Sequence, residues 1–163
     1  MTLSRVTLSR VTLSRGIAIA QMVLCATGIV VAAILTSFHY SPETTAALCT
    51  NVGGCETVNT SPYSTVGGIP IAIIGMLGYL AIGVAAYVST RDWPISDWAP
   101  TAIFGMSLIG VLYSVYLTYL ELFVIHAVCP WCVVSAILMI AIWVSSLVDL
   151  LRRRRLESAD TGA

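Results

Sequence analysis

The sequence predicts an all-α integral membrane protein: a four-helix bundle of transmembrane helices, with a cysteine-bearing extracytoplasmic (periplasmic) loop and short cap helix between helices one and two. Three observations predict it. The 163 residues are 58% hydrophobic and only 10% charged, where soluble domains average about 25% charged. Four apolar stretches are each long enough to span a bilayer, which takes about 20 residues. All eight basic residues, with no Lys among them, fall in three short segments between or outside those stretches.

Taken in order, the chain opens with an identical repeat, Thr2-Leu-Ser-Arg-Val, Thr7-Leu-Ser-Arg-Val, Thr12-Leu-Ser-Arg. Three such short copies cannot build a solenoid, and residues 1–15 read as a disordered cationic tail, or a duplication around the start site, with no chemistry. The membrane domain follows over residues 16–150. Its first span is Gly16 to Phe38, longer than the apolar core of a signal peptide. Cys25 lies inside it and reads as a small packing residue. His39 to Ile69 has loop character, with Ser41-Pro42, Gly53-Gly54, Ser61-Pro62 and Gly67-Gly68 as turn signals. It carries Cys49 and Cys55.

Pro70 to Ser89 forms the second span, in which Gly75, Gly78 and Gly83 would allow close helix packing. Arg91 to Trp98 is a polar connector whose Trp93 and Trp98 suit the membrane interface. The third span runs from about Pro100 to Phe123. The fourth runs from about Cys129 to Leu150. Residues 151–163 form a basic tail that begins with Arg152 to Arg155, and Asp149 reads as an ion-paired helix end.

The arginines set the orientation. Four spans gather both tails and the middle connector on one side, and all eight Arg with them. Cytoplasmic loops carry the excess of positive charge. Both termini are therefore expected in the cytoplasm, in a multi-pass protein of the cell (inner) membrane. The Cys49/Cys55 loop and the Cys129/Cys132 turn are then expected outside, where disulfides persist. Near-zero net charge gives nucleic acid no handle.

The chemistry centres on Cys129-Pro130-Trp131-Cys132. Proline suits a first helical turn, where its missing N–H costs nothing. Cys129 is then at a helix N-terminus, with Cys132 one turn on along the same face. The positive helix end favours a thiolate. Such a pair can open and close a disulfide; the blander reading is a structural disulfide or half a zinc site. A flexible loop pair and a fixed pair in one compartment suit thiol–disulfide exchange with a soluble partner. A lipid-soluble quinone suits the fixed pair as electron acceptor. Four cysteines around a structural zinc, and a scaffold stapled by inert disulfides, remain as non-enzymatic alternatives.

From about Gly16 to Leu150 the chain resembles bacterial members of the vitamin K epoxide reductase family. The resemblance rests on the four-span plan, Cys49 and Cys55, Ser61 six residues further on, Gly67-Gly-Ile-Pro-Ile leading to Gly75 and Leu77-Gly-Tyr79, and Cys129-Pro-Trp-Cys132. In DsbB-type proteins the Cys-x-x-Cys pair comes first in the chain; here it comes second. The resemblance implies a relay. Cys49 exchanges with the dithiol of a separate thioredoxin-like (DsbA-like) protein, Cys55 attacks Cys129, and Cys132 faces a quinone (menaquinone or ubiquinone). The relay supports disulfide formation in secreted proteins. Ser61 is implied in the cap over the quinone pocket, and it can equally cap the short helix begun by Pro62. Some members carry the thioredoxin-like domain fused at the C-terminus, and with ten residues after Arg153 the partner is expected to act in trans. The family's pocket tyrosine and asparagine have no clear counterparts, and Ala136 stands where the tyrosine is expected. That favours quinone reduction over the alternative, vitamin K epoxide or quinone reduction with the reduced quinone as main product.

Around this core, Trp131 is divided between a quinone contact and an interfacial anchor. Glu121 and His126 could relay the quinone's protons, but read first as residues of the water interface. Tyr113, Tyr116 and Tyr119 repeat at three-residue spacing and read as packing or an interfacial belt ahead of a ring-binding site.

Overall fold

A computed structural model of the chain describes the backbone at residues 2–40, 49, 54–91, 93–94 and 96–161, and the side chains of these except 2–13, 156–157 and 159–161. The turn signals at Ser41-Pro42 and Gly53 lie outside the described residues.

Four long helices dominate: α1 (Thr2–Tyr40), α3 (Ile71–Val88), α4 (Ala99–Leu120) and α5 (Pro130–Thr161), with a short helix α2 (Cys55–Asn59) after the first. Each long helix holds a stretch long and apolar enough to cross a membrane: Ser14–Tyr40, Ile71–Val88, Ala99–Ile125 and Pro130–Arg155, the third including the turn that follows α4. The expected four-helix membrane bundle is what forms. At both ends helix extends beyond the apolar stretch. The repeat of residues 2–15 continues α1 as helix where a disordered tail was expected, and the basic tail continues α5 to Thr161. Neither end carries a Gly or Pro that would break a helix already nucleated by its membrane segment.

The helices pack in the cyclic order α1, α3, α4, α5, each chiefly against two neighbours. Mid-bundle, Cys25, Tyr79, Ile82, Ala86, Ile103, Met139 and Ile142 form one buried cluster; Cys25 is the packing residue its surroundings predicted. The outer faces carry Leu77, Leu80, Val84, Ile109, Leu112 and Val115 exposed, as a lipid-facing surface requires. Trp93 and Trp98 are exposed beside the connector. Asp149 pairs with Arg153 one turn on, Nε to Oδ2 at 2.9 Å.

The tightest helix approaches occur at glycines other than those expected. A Cβ on Gly28 would collide with the Tyr79 ring, and one on Gly110 would lie 2.7 Å from the Met139 sulfur. Gly83 does meet Cys25, at ordinary contact distance, whereas Gly75 and Gly78 have nothing against them and line a cavity.

Between α2 and α3 the chain makes a 3-10 turn (Pro62–Ser64) and a two-residue hairpin, β1 (Thr65–Val66) against β2 (Ile69–Pro70). Its turn residues Gly67 and Gly68 both have positive φ, 60° and 83°. That conformation is open to glycine and strained for most other residues.

Candidate redox centre and cavity

Cys49 and Cys55 are joined as a disulfide, with Cα atoms 6.4 Å apart. Cys55 opens α2 and is fully buried. Across from it, Cys129 precedes α5, and Pro130 is the helix's first residue. The Cys129 carbonyl accepts the first helical bonds from the N–H groups of Cys132 and Val133 at 3.0 and 3.1 Å. Cys129 and Cys132 are free thiols. The Cys129 thiol points at the Cys55 sulfur, 3.7 Å away. Both are fully buried, in a cluster with Val31, Leu35 and Phe38.

A tight junction makes this contact. The Gly54 N–H donates to the Val128 carbonyl at 3.1 Å. A Cβ on Gly54 would overlap the Ala127 methyl, so only glycine lets the two backbones meet here. Each partner immediately precedes its cysteine or lies within two residues of it. Docking Gly54 on residues 127–128 therefore sets one sulfur against the other.

The last turn before Cys129 is unusual. After α4, Glu121–Ile125 widens into a π-helical turn, and His126 adopts the left-handed conformation at φ 55°. Such turns mark functional sites more often than chance. This one lets the Glu121 carbonyl accept the Ala127 N–H at 3.0 Å. It also brings the Glu121 carboxylate back beneath the cysteine turn, where Oε2 accepts the Cys129 N–H at 3.1 Å. Glu121 is 4% exposed and lies beside the Cys132 thiol. The interfacial reading thus fails for Glu121, whereas His126 is exposed. The reason is the widened turn, which no helical period predicts.

The Cys129 thiol is held below the usual thiol range. The hydrogen bond from the Cys132 side chain is the chief cause. The N–H groups of Cys132 and Trp131 at the helix start add to it, against burial and the nearby Glu121 charge. This is the thiolate stabilisation expected at a helix N-terminus, supplied first by the second thiol.

Cys132 opens instead onto a cavity of about 460 Å³, within the range of small-molecule sites. Its walls are largely apolar, with Leu35, Ile82, Met106 and Met139 among them. His39, Asn59, Ser61 and Glu121 provide polar groups. These groups are already oriented. The His39 Nδ1 is 3.1 Å from the Asn59 carbonyl, which can only accept, so Nδ1 carries the hydrogen and a neutral imidazole keeps Nε2 as acceptor. Asn59 Nδ2 donates to the Cys55 carbonyl at 3.0 Å. Ser61 precedes the 3-10 turn and its hydroxyl donates to the Val58 carbonyl at 2.7 Å. It thus holds the cap and lines the cavity, and only its acceptor capacity is left for a ligand. Tyr79 donates to the Ser135 carbonyl at 2.8 Å.

Of the residues singled out in the sequence, Cys49, Cys55, Cys129, Cys132 and Ser61 come together at one end of the bundle. Trp131 is not among the cavity's walls; it packs against the cluster around Cys55 and Cys129. Tyr113 lines the cavity, Tyr116 is exposed, and Tyr119 is exposed and stacks on Phe123. Ala136 does line the cavity. His39 and Asn59 escaped notice, although His39 is one of only two histidines in the chain. The zinc alternative needs four thiolate ligands, and two of these sulfurs are bonded to each other.

Four membrane-length helices, a disulfide facing a dithiol, and an apolar cavity beside the dithiol define a membrane oxidoreductase. A family model described as vitamin K epoxide reductase family matches residues 19–147, and the chain belongs to that family. Its members are quinone-linked disulfide oxidoreductases of membranes.

Proposed function

We propose that the protein oxidises the dithiol of a separate thioredoxin-like (DsbA-like) protein and passes the electron pair to a quinone. The reading places the cysteine end of the bundle outside the cell (inner) membrane and both termini in the cytoplasm, in keeping with the arginine distribution. In the first step a partner thiolate attacks the Cys49–Cys55 disulfide at Cys49. The partner's second thiol resolves the mixed disulfide, which leaves Cys49 and Cys55 reduced and the partner oxidised. Next the Cys55 thiolate attacks Cys129 of a Cys129–Cys132 disulfide, forming Cys55–Cys129 and releasing Cys132. Cys49 then attacks Cys55, restores the loop disulfide and expels Cys129 as thiolate. A thiol held below its usual pKa leaves readily. Finally the Cys129/Cys132 dithiol gives two electrons and two protons to a quinone, yielding the quinol and the Cys129–Cys132 disulfide.

One observation carries this reading: the dithiol has its two sulfurs on different sides. Cys129 faces the loop disulfide at 3.7 Å, and Cys132 faces the apolar cavity. The test is quinol formation by the purified protein in lipid nanodiscs, with a reduced thioredoxin-like protein as donor. Short-chain ubiquinone and menaquinone analogues serve as acceptors. Turnover that stops on Cys→Ala replacement at any of positions 49, 55, 129 and 132 supports the relay. Unchanged cysteine pairing in the presence of both substrates overturns it.

A further inference from the structure

We propose that Glu121 is a catalytic base and acid of the quinone step, taking the Cys132 proton and passing it to a quinone oxygen. The inference rests on the quinone reading above and names the group that moves one of its protons. Reduction of a quinone by a dithiol moves two protons from sulfur to oxygen along with the electron pair. In a largely apolar cavity a positioned side chain can carry a proton that sulfur does not hand over directly.

Two geometric facts single out Glu121. Its carboxyl group is buried at the wall of the same cavity onto which Cys132 opens, beside the Cys132 thiol. And Oε2 is fixed by the Cys129 N–H at 3.1 Å, which orients the carboxylate at no cost in side-chain freedom during the reaction. A buried ionisable group within a membrane span is costly to keep and marks function. A polar residue that only tied down the turn would not need a charge, because an amide oxygen accepts the Cys129 N–H equally well. In the step itself the Cys132 thiol gives its proton to the Glu121 carboxylate. The Cys132 sulfur passes the electron pair to the quinone as the Cys129 sulfur bonds to it and closes the disulfide. Glu121 then protonates one quinone oxygen, and the proton released by Cys129 completes the quinol.

The groups that could share such a pH effect are Cys129 and Cys132 at the start of α5, His39 at the end of α1, Glu56 on α2, Tyr63 in the 3-10 turn, Tyr79 on α3, Tyr113 on α4 and His126 beside the turn. The test therefore compares Glu121→Gln and Glu121→Ala with wild type over a range of pH. The protein is reduced in nanodiscs and mixed with a short-chain ubiquinone, and reoxidation of its dithiol is followed in a single turnover. Glu121→Gln keeps the acceptor for Cys129 N–H and loses the base. We expect it to slow reoxidation by about 10²-fold or more, the usual contribution of a general acid–base group. We also expect its pH profile to lack one ionisation seen in wild type. If Glu121→Gln reoxidises within threefold of wild type and only Glu121→Ala is slow, the residue merely positions the turn and the proposal falls while the quinone reading stands. If wild type itself is not reoxidised by quinone, the quinone reading fails and takes this step with it.

Discussion

Gly54 and Ala127 touch so closely that a single methyl group on Gly54 would occupy the space of the Ala127 side chain. The junction fixes the separation of Cys55 and Cys129. Gly54→Ala should push the loop off residues 127–128 and slow formation of a Cys55–Cys129 bond by about 10²-fold, the scale on which ångström misplacement acts. Adding Ala127→Gly should restore the rate, because the lost methyl makes room for the new one. The cross-link yield, read by mass spectrometry of the digested protein, reports both.

Cys49→Ala removes the thiol that would resolve the transfer. With the sulfurs 3.7 Å apart, this variant should accumulate a Cys55–Cys129 disulfide once the dithiol has been oxidised. Cys132 should remain free and open to alkylation from the cavity. Recovery of a peptide pair joined through Cys55 and Cys129 is the expected result; recovery of Cys129–Cys132 alone would sink the transfer step.

The pH behaviour of Cys129 has a definite sign. A thiol whose pKa is lowered loses its proton earlier as pH rises. The reduced protein should therefore show one thiolate at pH values below the ordinary thiol range, about 8.5. Cys132→Ala removes the chief cause of the lowering, and the thiolate should then appear at higher pH. The exchange between Cys129 and the loop should shift upward with it. Ultraviolet thiolate absorbance, assigned by difference against Cys129→Ala, follows the titration.

Filling the cavity should separate its role from that of the sulfurs. Ala136 faces the cavity, so Ala136→Phe places a ring in it without touching the Cys55–Cys129 contact. Quinone KM should rise by about tenfold or more, since lost apolar contact of this size is worth ~1–3 kcal/mol. Exchange of the loop disulfide with a soluble dithiol should be unchanged.

Gly28 tests the bundle itself. Its α-carbon lies against the Tyr79 ring, and Gly28→Val should overpack the site and cost ~1–3 kcal/mol. Thermal unfolding in detergent measures it, and Gly75→Ala, with open space around its α-carbon, should cost much less.

Much of this was legible in the chain. Hydropathy and arginine placement located four spans because lipid imposes a length and a charge asymmetry that a single sequence displays directly. The two cysteine pairs were visible by spacing, and Pro130 announced the start of the last helix. The partnership of Glu121 with Cys129 was not. It depends on an added residue in the α4 exit and a left-handed His126, and neither leaves a periodic trace. The glycines misled for a related reason: Gly28 and Gly75 look alike in the sequence, and only the facing helix decides which one meets a ring. The helical continuation of the repeat was hidden as well, because its charge and low complexity suggested a solvated tail.

The two sulfurs on one helical turn open toward different worlds, one toward the loop and one toward the bundle's apolar interior. On the proposed reading, reducing power then arrives by diffusion through a volume and departs by diffusion within a plane. Neither carrier has to cross into the other's medium, since the only thing exchanged between them is a bond between sulfur atoms. Throughput is then set by two supplies that the cell controls separately, and a shortage in the membrane would register as reduced thiols outside it.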